Sequence, residues 1–198
     1  MDGITKSVQQ QILRFNPGTI FSIKEIHRFG ISIKAVYQAV YRLNKQGTIR
    51  RIKNGIYYKP EKNRILLGRY LIPDIYQVVQ FIAVQNGENI QVHGGMAAFR
   101  LQLSTQVPVM EVFYTSGNSR QFQLGGTQIR LIHTNNSQFF QYPLGSRIGM
   151  AISALLFFGK EIVDLWMIEK LKENLTTEEL MLLNQSTLPK WLHNLLNI

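Results

Sequence analysis

The stretch NKQGTIRRIKNGIYYKP, residues 44–60, carries five Lys or Arg and no acid, with Asn54-Gly55 set between two short runs, TIRRI and GIYYK. Each run reads as a strand. Asn-Gly is the favoured pair for a two-residue hairpin because both central positions of that turn take positive φ. Side chains alternate between faces along a strand, so Ile49 and Ile52 both turn inward only if the first strand carries a bulge or a strong twist. The pattern leaves open whether Arg50 or Arg51 faces a ligand.

A helix precedes the hairpin. After Ser32, a residue type that caps helix N-termini, IKAVYQAVYRLNKQ runs to Gly47, which suits the left-handed position that ends a helix. At ~100° per residue, Ile33, Val36, Ala39, Val40 and Leu43 form one apolar stripe. Lys34, Gln38, Tyr41 and Lys45 fall on the opposite face, with Tyr37 and Arg42 on its flanks. Cations, an amide able to make paired hydrogen bonds, and phenols suit contacts to phosphates and base edges in a major groove. A merely solvated amphipathic face is the competing account.

Further upstream, Ser22 and Glu25 in SIKE spell a capping box for a short helix over about 23–29, with Gly30 at its end. Ile4, Val8, Ile12 and Phe15 repeat at helical spacing ahead of the stop signal NPG at 16–18. Three helices, the last two a helix-turn-helix, followed by a hairpin make a winged helix-turn-helix domain. In such a domain Lys53 and Asn54 form the wing tip, Arg50, Arg51 and Lys59 line its edges, and the wing straddles the sugar-phosphate backbone beside the groove-bound helix.

Charge is distributed to match. Residues 1–64 hold thirteen Lys and Arg against three acids, which is the whole formal net charge of +10, while the rest of the chain carries nine of each. A polyanion-binding module joined to a neutral domain has this distribution. The expected organisation is an α+β protein with a winged-helix DNA-binding domain at 1–64 and a mixed α/β domain at 65–198, helical at its C-terminal end, with PEKNR as the joint. With no Cys there is no disulfide framework and no thiolate metal site. The N-terminus lacks a signal-peptide profile and the longest apolar run, IGMAISALLFFG, is too short to span a bilayer, so a cytoplasmic protein with no membrane role is expected.

In the second domain, Pro73 opens a helix to about Gly87, with Ile75, Val78, Val79 and Ile82 on its inner face. NIQV, TQVP, VMEVFYT, QFQL and TQIRLIHT read as short strands with SGNSR and GG as hairpin turns, packed on a short helix in HGGMAAFRLQL. From Gly145 the pattern is helical, with Thr176 and Thr177 as caps and Pro189 near a helix start. Ile162, Leu165, Trp166, Ile168 and Leu171 are assigned to a buried face, and Glu161, Asp164 and Glu169 to a solvated one. Gly145, Gly149 and Ser153, four residues apart, let two helices approach closely, within the domain or across a homodimer.

No catalytic chemistry is legible. His27, His93, His133 and His193 lack metal-ligand spacing, and the paired glycines of HGGMAAF read as packing positions in the absence of a Gly-Lys-Ser/Thr ending. No Gly-x-Ser-x-Gly elbow accompanies Ser104, Ser116 or Ser119. The chain reads as a binding protein that is not an enzyme and needs no metal or cofactor.

Three blocks together resemble the AbiEi-like antitoxins, the transcriptional regulators of type IV toxin–antitoxin (abortive infection) systems: AVYRLNKQGTIRRIKNGIYYKP at 39–60, GGMAAFRLQLSTQVPVMEVFYTSGNSRQFQLGGTQIRLIHT at 94–134, and the closing ALLFFGKEIVD and LPKWLHNLL. The resemblance covers nearly the full length. It implies a bacterial repressor that binds inverted repeats in its own promoter through the winged helix, with a C-terminal domain needed for antitoxicity. The toxin it implies is nucleotidyltransferase-like and is countered without a stable complex. Direct sequestration of the toxin by the second domain, and a winged helix that delivers a nucleic-acid-processing enzyme to its substrate, are the alternatives.

Overall fold

The computed structural model describes residues 2–27, 32–63, 68 and 70–196, excluding the side chains of residues 2–5. Gly30 as a helix terminator, Arg64 in the joint and the side chain of Ile4 therefore lie outside the described residues. The chain is mixed α+β with helices at both ends, and it divides into two compact units, Met1–Val78 and Val79–Ile198.

The first unit begins with α1 (Asp2–Leu13), β1 (Ile20–Ser22), α2 (Ile23–His27) and α3 (Ile33–Lys45). It continues with β2 (Arg50–Lys53), β3 (Ile56–Tyr58) and the two-residue strands β4 (Glu61–Lys62) and β5 (Tyr70–Leu71). Its core takes Val8 and Ile12 from α1, Ile26 from α2, Val36, Ala39, Val40 and Leu43 from α3, and Ile49. The capping box forms at α2: the Ser22 amide donates to Glu25 Oε2 at 2.8 Å and the Glu25 amide to Ser22 Oγ at 3.1 Å. Glycine is required at Gly47, where φ is +74° and the Thr48 amide reaches back to the Leu43 carbonyl at 3.0 Å, closing the end of α3.

β1 pairs antiparallel with β3, which pairs antiparallel with β2, giving the order β1-β3-β2. β4 and β5 form a separate two-stranded ribbon. Lys59 fastens the end of β3 to α1, its ammonium donating to the carbonyls of Leu13 at 2.6 Å and Phe15 at 2.7 Å. This corrects the expectation that Lys59 lines the wing edge: a cation over exposed C-terminal carbonyls complements the helix dipole.

The division between units falls within α4 (Ile75–Asn86), whose first turn is capped by Asp74 Oδ1 accepting from the Gln77 amide at 3.0 Å. Next come β6 (Ile90–Val92), α5 (Gly94–Arg100), β7 (Glu111–Thr115), β8 (Arg120–Leu124) and β9 (Thr127–His133). A 3-10 turn at Ser137–Phe140 leads to α6 (Arg147–Phe158), α7 (Leu165–Asn174), α8 (Thr177–Gln185) and α9 (Lys190–Leu196). The sheet order is β6-β7-β9-β8, with β7 and β9 parallel. SGNSR is therefore not a hairpin turn: the chain passes over the place of β9, and β9 then inserts between β7 and β8. TQVP forms no strand.

The small residues of α6 pack within this unit. Ser153 Oγ donates to the Val92 carbonyl at 2.6 Å, and a Cβ on Gly149 would come 2.3 Å from Gln91 Nε2. Gly94 meets α6 as closely, since a Cβ there would lie 2.1 Å from that of Phe157. Gln91 is fully buried. Its Nε2 donates to the carbonyls of Tyr142 (3.1 Å) and Pro143 (3.2 Å), and its Oε1 accepts from the amides of Gly145 (3.1 Å) and Val92 (3.0 Å).

Two helical expectations need correction. α7 starts after Asp164, whose carboxylate caps the Met167 amide at 2.9 Å, and Ile162, Leu165 and Trp166 are each more than half exposed, so only Ile168 and Leu171 of that stripe are core. Thr176 alone caps α8, in a capping box with Glu179, because the helix begins at Thr177.

Candidate nucleic-acid interface

α3 owes its position to one buried stripe. Val36, Ala39, Val40 and Leu43 are at most 3% exposed, which fixes the helix roll and turns Lys34, Tyr37, Gln38, Tyr41, Arg42 and Lys45 outward, all of them exposed. Tyr37 at 57% and Tyr41 at 67% exposure are large phenols in open solvent. Ile33, assigned to the stripe from periodicity, is 39% exposed in the first turn. Ser32 occupies the N-cap position but its hydroxyl makes no capping hydrogen bond.

The hairpin resolves the conflict between Ile49 and Ile52 with a bulge. Arg50 pairs with Tyr58 and Arg51 with Tyr57, then the register shifts so that Lys53 pairs with Ile56. Both isoleucines are buried as a result, Ile49 at 0% and Ile52 at 7% exposure. The turn differs from the expected form: Gly55 has φ +77° but Asn54 does not take positive φ, and the register shift accommodates the difference.

Arg50 and Arg51 are both exposed and, as neighbours in a strand, stand on opposite faces of β2. The Arg51 guanidinium donates to Asn54 Oδ1 at the turn. The guanidinium carbon of Arg50 lies 4.5 Å from the ring centroid of Tyr70 in β5, and Arg50 stands directly across the ladder from the buried Tyr58. Burial raises the pKa of Tyr58, with the charge of Arg50 opposing it. Tyr70 was not legible as a partner, because nothing in the spacing of GRYLIP relates it to residue 50. Lys53, near the tip, is half-buried, and Asn54 is exposed.

The first unit therefore presents one exposed helix face and one bulged hairpin, joined by the short 46–49 connection, bearing Lys34, Arg42, Lys45, Arg50, Arg51 and Lys53. Glu25, one of its few acids, is held in the capping box.

In the second unit Arg100, Arg120, Arg147 and Lys170 each pair with a carboxylate. Arg120 binds Glu88 through both terminal nitrogens, and the Thr115 hydroxyl donates to Glu88 Oε2 at 3.0 Å. Burial pushes the Glu88 carboxyl up, but the Arg120 and Thr115 bonds outweigh it and hold the group below its usual range. A cleft of about 260 Å³ lined by Gln80, Glu88, Asn89 and Tyr142 borders this group. His93 caps α5 through Nδ1, which accepts from the Gly95 amide at 3.2 Å, and its ring packs against Tyr114 and Phe157. Burial, and then the charge of Arg130, hold its pKa down. His133 contacts the Gly117 carbonyl and Asn135 Oδ1. Among the described residues no cluster of three or more His, Asp or Glu is placed to hold a metal ion, and no helix is long and apolar enough to cross a membrane.

Compared with known proteins, residues 7–183 match a family of unknown function (DUF6088), a match that covers most of both units. No curated protein matches the chain.

Proposed function

We propose that this chain, which belongs to the DUF6088 family, is a winged-helix DNA-binding repressor of its own promoter and the antitoxin of a type IV toxin–antitoxin system. The observation that carries the DNA-binding reading is the outward face of α3. Two cations, an amide and an exposed tyrosine stand opposite a fully buried stripe, with a second tyrosine and a third cation on the flanks, and a bulged basic hairpin follows directly. A solvated face has no use for phenols at 57% and 67% exposure. A groove-reading helix uses this mixture, with Gln38 suited to a base edge and Lys34, Arg42 and Lys45 to base edges or phosphates. The antitoxin role, the cytoplasmic setting and the nucleotidyltransferase-like toxin rest on the resemblance to the AbiEi-like regulators.

The test is fluorescence anisotropy with the duplex upstream of the gene and a scrambled duplex across a salt series. Six outward cations, each neutralising one phosphate, give a slope of log K against log[salt] of about −5 per protomer, or roughly a thousandfold loss from 50 to 200 mM salt. A preference of several hundredfold for the native duplex supports a specific repressor, and equal affinity for both refutes it. Lys34→Ala and Gln38→Ala should cost ~1–3 kcal/mol on the native duplex alone.

A second reading, direct capture of the toxin by the second unit, is favoured by one observation. Ile162, Leu165 and Trp166 form an exposed apolar ridge where α7 begins. Co-purification of the toxin with the wild-type chain, lost in Trp166→Glu, would establish that reading in place of an antitoxin acting without a stable complex.

A further inference from the structure

The ribbon β4–β5 has no place in a helix-and-hairpin contact with DNA, yet it supplies the ring beneath Arg50. Three strands converge on that guanidinium. β2 carries it, β3 places the buried Tyr58 directly across the ladder, and β5 lays Tyr70 under it at 4.5 Å. An arginine side chain ordinarily has considerable rotamer freedom, which is lost when it grips a phosphate. A guanidinium resting on an aromatic ring keeps donors in its own plane for a bidentate contact, and its attraction to the ring face restricts where it can go. Arg51, on the opposite face of β2, bonds instead to Asn54 at the turn.

We propose that Tyr70 is a positioning residue that pre-orders Arg50 as a phosphate contact, so that the surface meeting the duplex backbone extends from the hairpin to the β4–β5 ribbon. Exposed Lys62, in β4 beside Tyr70, adds a cation to the same ribbon. The inference rests on the DNA-binding reading and adds to it a residue that touches no DNA itself. Because phosphates carry no sequence information, the ordering acts on native and scrambled duplexes alike.

The experiment measures full-length wild type, Tyr70→Leu, Tyr70→Phe, Arg50→Gln and the Arg50→Gln/Tyr70→Leu double variant on both duplexes across the salt series. Tyr70→Leu should weaken binding roughly three- to tenfold on both duplexes, since one ordered long side chain is released, with the salt slope unchanged because no charge is removed. Tyr70→Phe, which keeps the ring face, should stay within about twofold of wild type. Arg50→Gln should flatten the slope by about 0.9, and adding Tyr70→Leu to it should cost nothing more. That non-additivity separates positioning of Arg50 from a general structural role. The inference is overturned if Tyr70→Leu binds like wild type while Arg50→Gln is weakened, if the two losses add in full, or if Tyr70→Phe is as weak as Tyr70→Leu. Wild type that binds neither duplex in a salt-dependent way refutes the DNA-binding reading itself and this inference with it, a result distinct from the other three.

Discussion

Replacing Gln91 with Leu keeps the side chain's approximate volume and removes four hydrogen bonds at a site that is 0% exposed. The partners do not suffer equally. Pro143 is exposed, so water can take over at its carbonyl, and Tyr142 and Gly145 are half-buried. Val92 is 0% exposed, and its amide loses a partner that nothing else supplies. An orphaned buried donor costs ~1–3 kcal/mol, and two partly wetted groups add about 1 kcal/mol between them. The greater burial preference of Leu offsets part of this, leaving a net loss of about 2–3 kcal/mol. For a unit of this size that lowers Tm by roughly 8–12 °C. Trp166 and Trp191 both lie in the second unit, so tryptophan fluorescence during urea and thermal unfolding reports on that unit alone. The midpoint should fall with the m-value unchanged. A variant within 0.5 kcal/mol of wild type, or more stable, would falsify the assignment of Gln91 as the fastening between β6 and the segment before α6.

Three further outcomes follow from close contacts and charge. Gly94→Ala should unfold the second unit or cost more than about 3 kcal/mol, because the new Cβ meets the Phe157 Cβ and the Ser153 carbonyl oxygen, whereas Gly95→Ala, whose nearest contact is 3.6 Å, should stay within about 0.5 kcal/mol by the same thermal assay. Glu88 has a depressed pKa in the folded chain, so its contribution is full above the unfolded carboxyl pKa and is lost as pH falls through the lower folded value. Glu88→Gln should therefore lower stability at neutral pH and shrink the further loss that wild type shows as pH falls below the ordinary carboxylate range, in an acid titration followed by fluorescence. Lys59→Met should destabilise the first unit by about 1–2 kcal/mol, read by far-UV circular dichroism, through two helix-end carbonyls left to water.

Local chemistry was the legible part of this chain. Ser22 and Glu25 announce their capping box, Gly47 announces the end of α3, and the apolar stripe of α3 predicts its outward residues, because each of these is decided within one or two helical turns. The conflict between Ile49 and Ile52 even predicted a distortion of β2. What escaped depends on distant partners. β1 is three residues long, too short to show alternation, and exists because β3 pairs with it. The insertion of β9 between β7 and β8 is a matter of topology, which two strands flanking a polar turn do not encode. Periodicity grouped Ile162, Leu165 and Trp166 with Ile168 and Leu171, but a stripe does not say how far its cover extends. Gln91 and Tyr70 were invisible for the same reason, since their partners lie 51 and 20 residues away in sequence.

The two free hydrogen-bonding groups of Val92 on the outer side of β6 are both taken, the amide by Gln91 and the carbonyl by Ser153. That border of the four-stranded sheet is thus sealed at its middle by side chains and offers no continuous backbone ladder to an incoming strand. Strand addition, whether by a neighbouring copy during misfolding or by an extended peptide, is directed to the opposite border at β8. Ser153→Ala would leave the Val92 carbonyl without that partner while the border stays buried beneath α6, so joining through sheets would still be confined to β8.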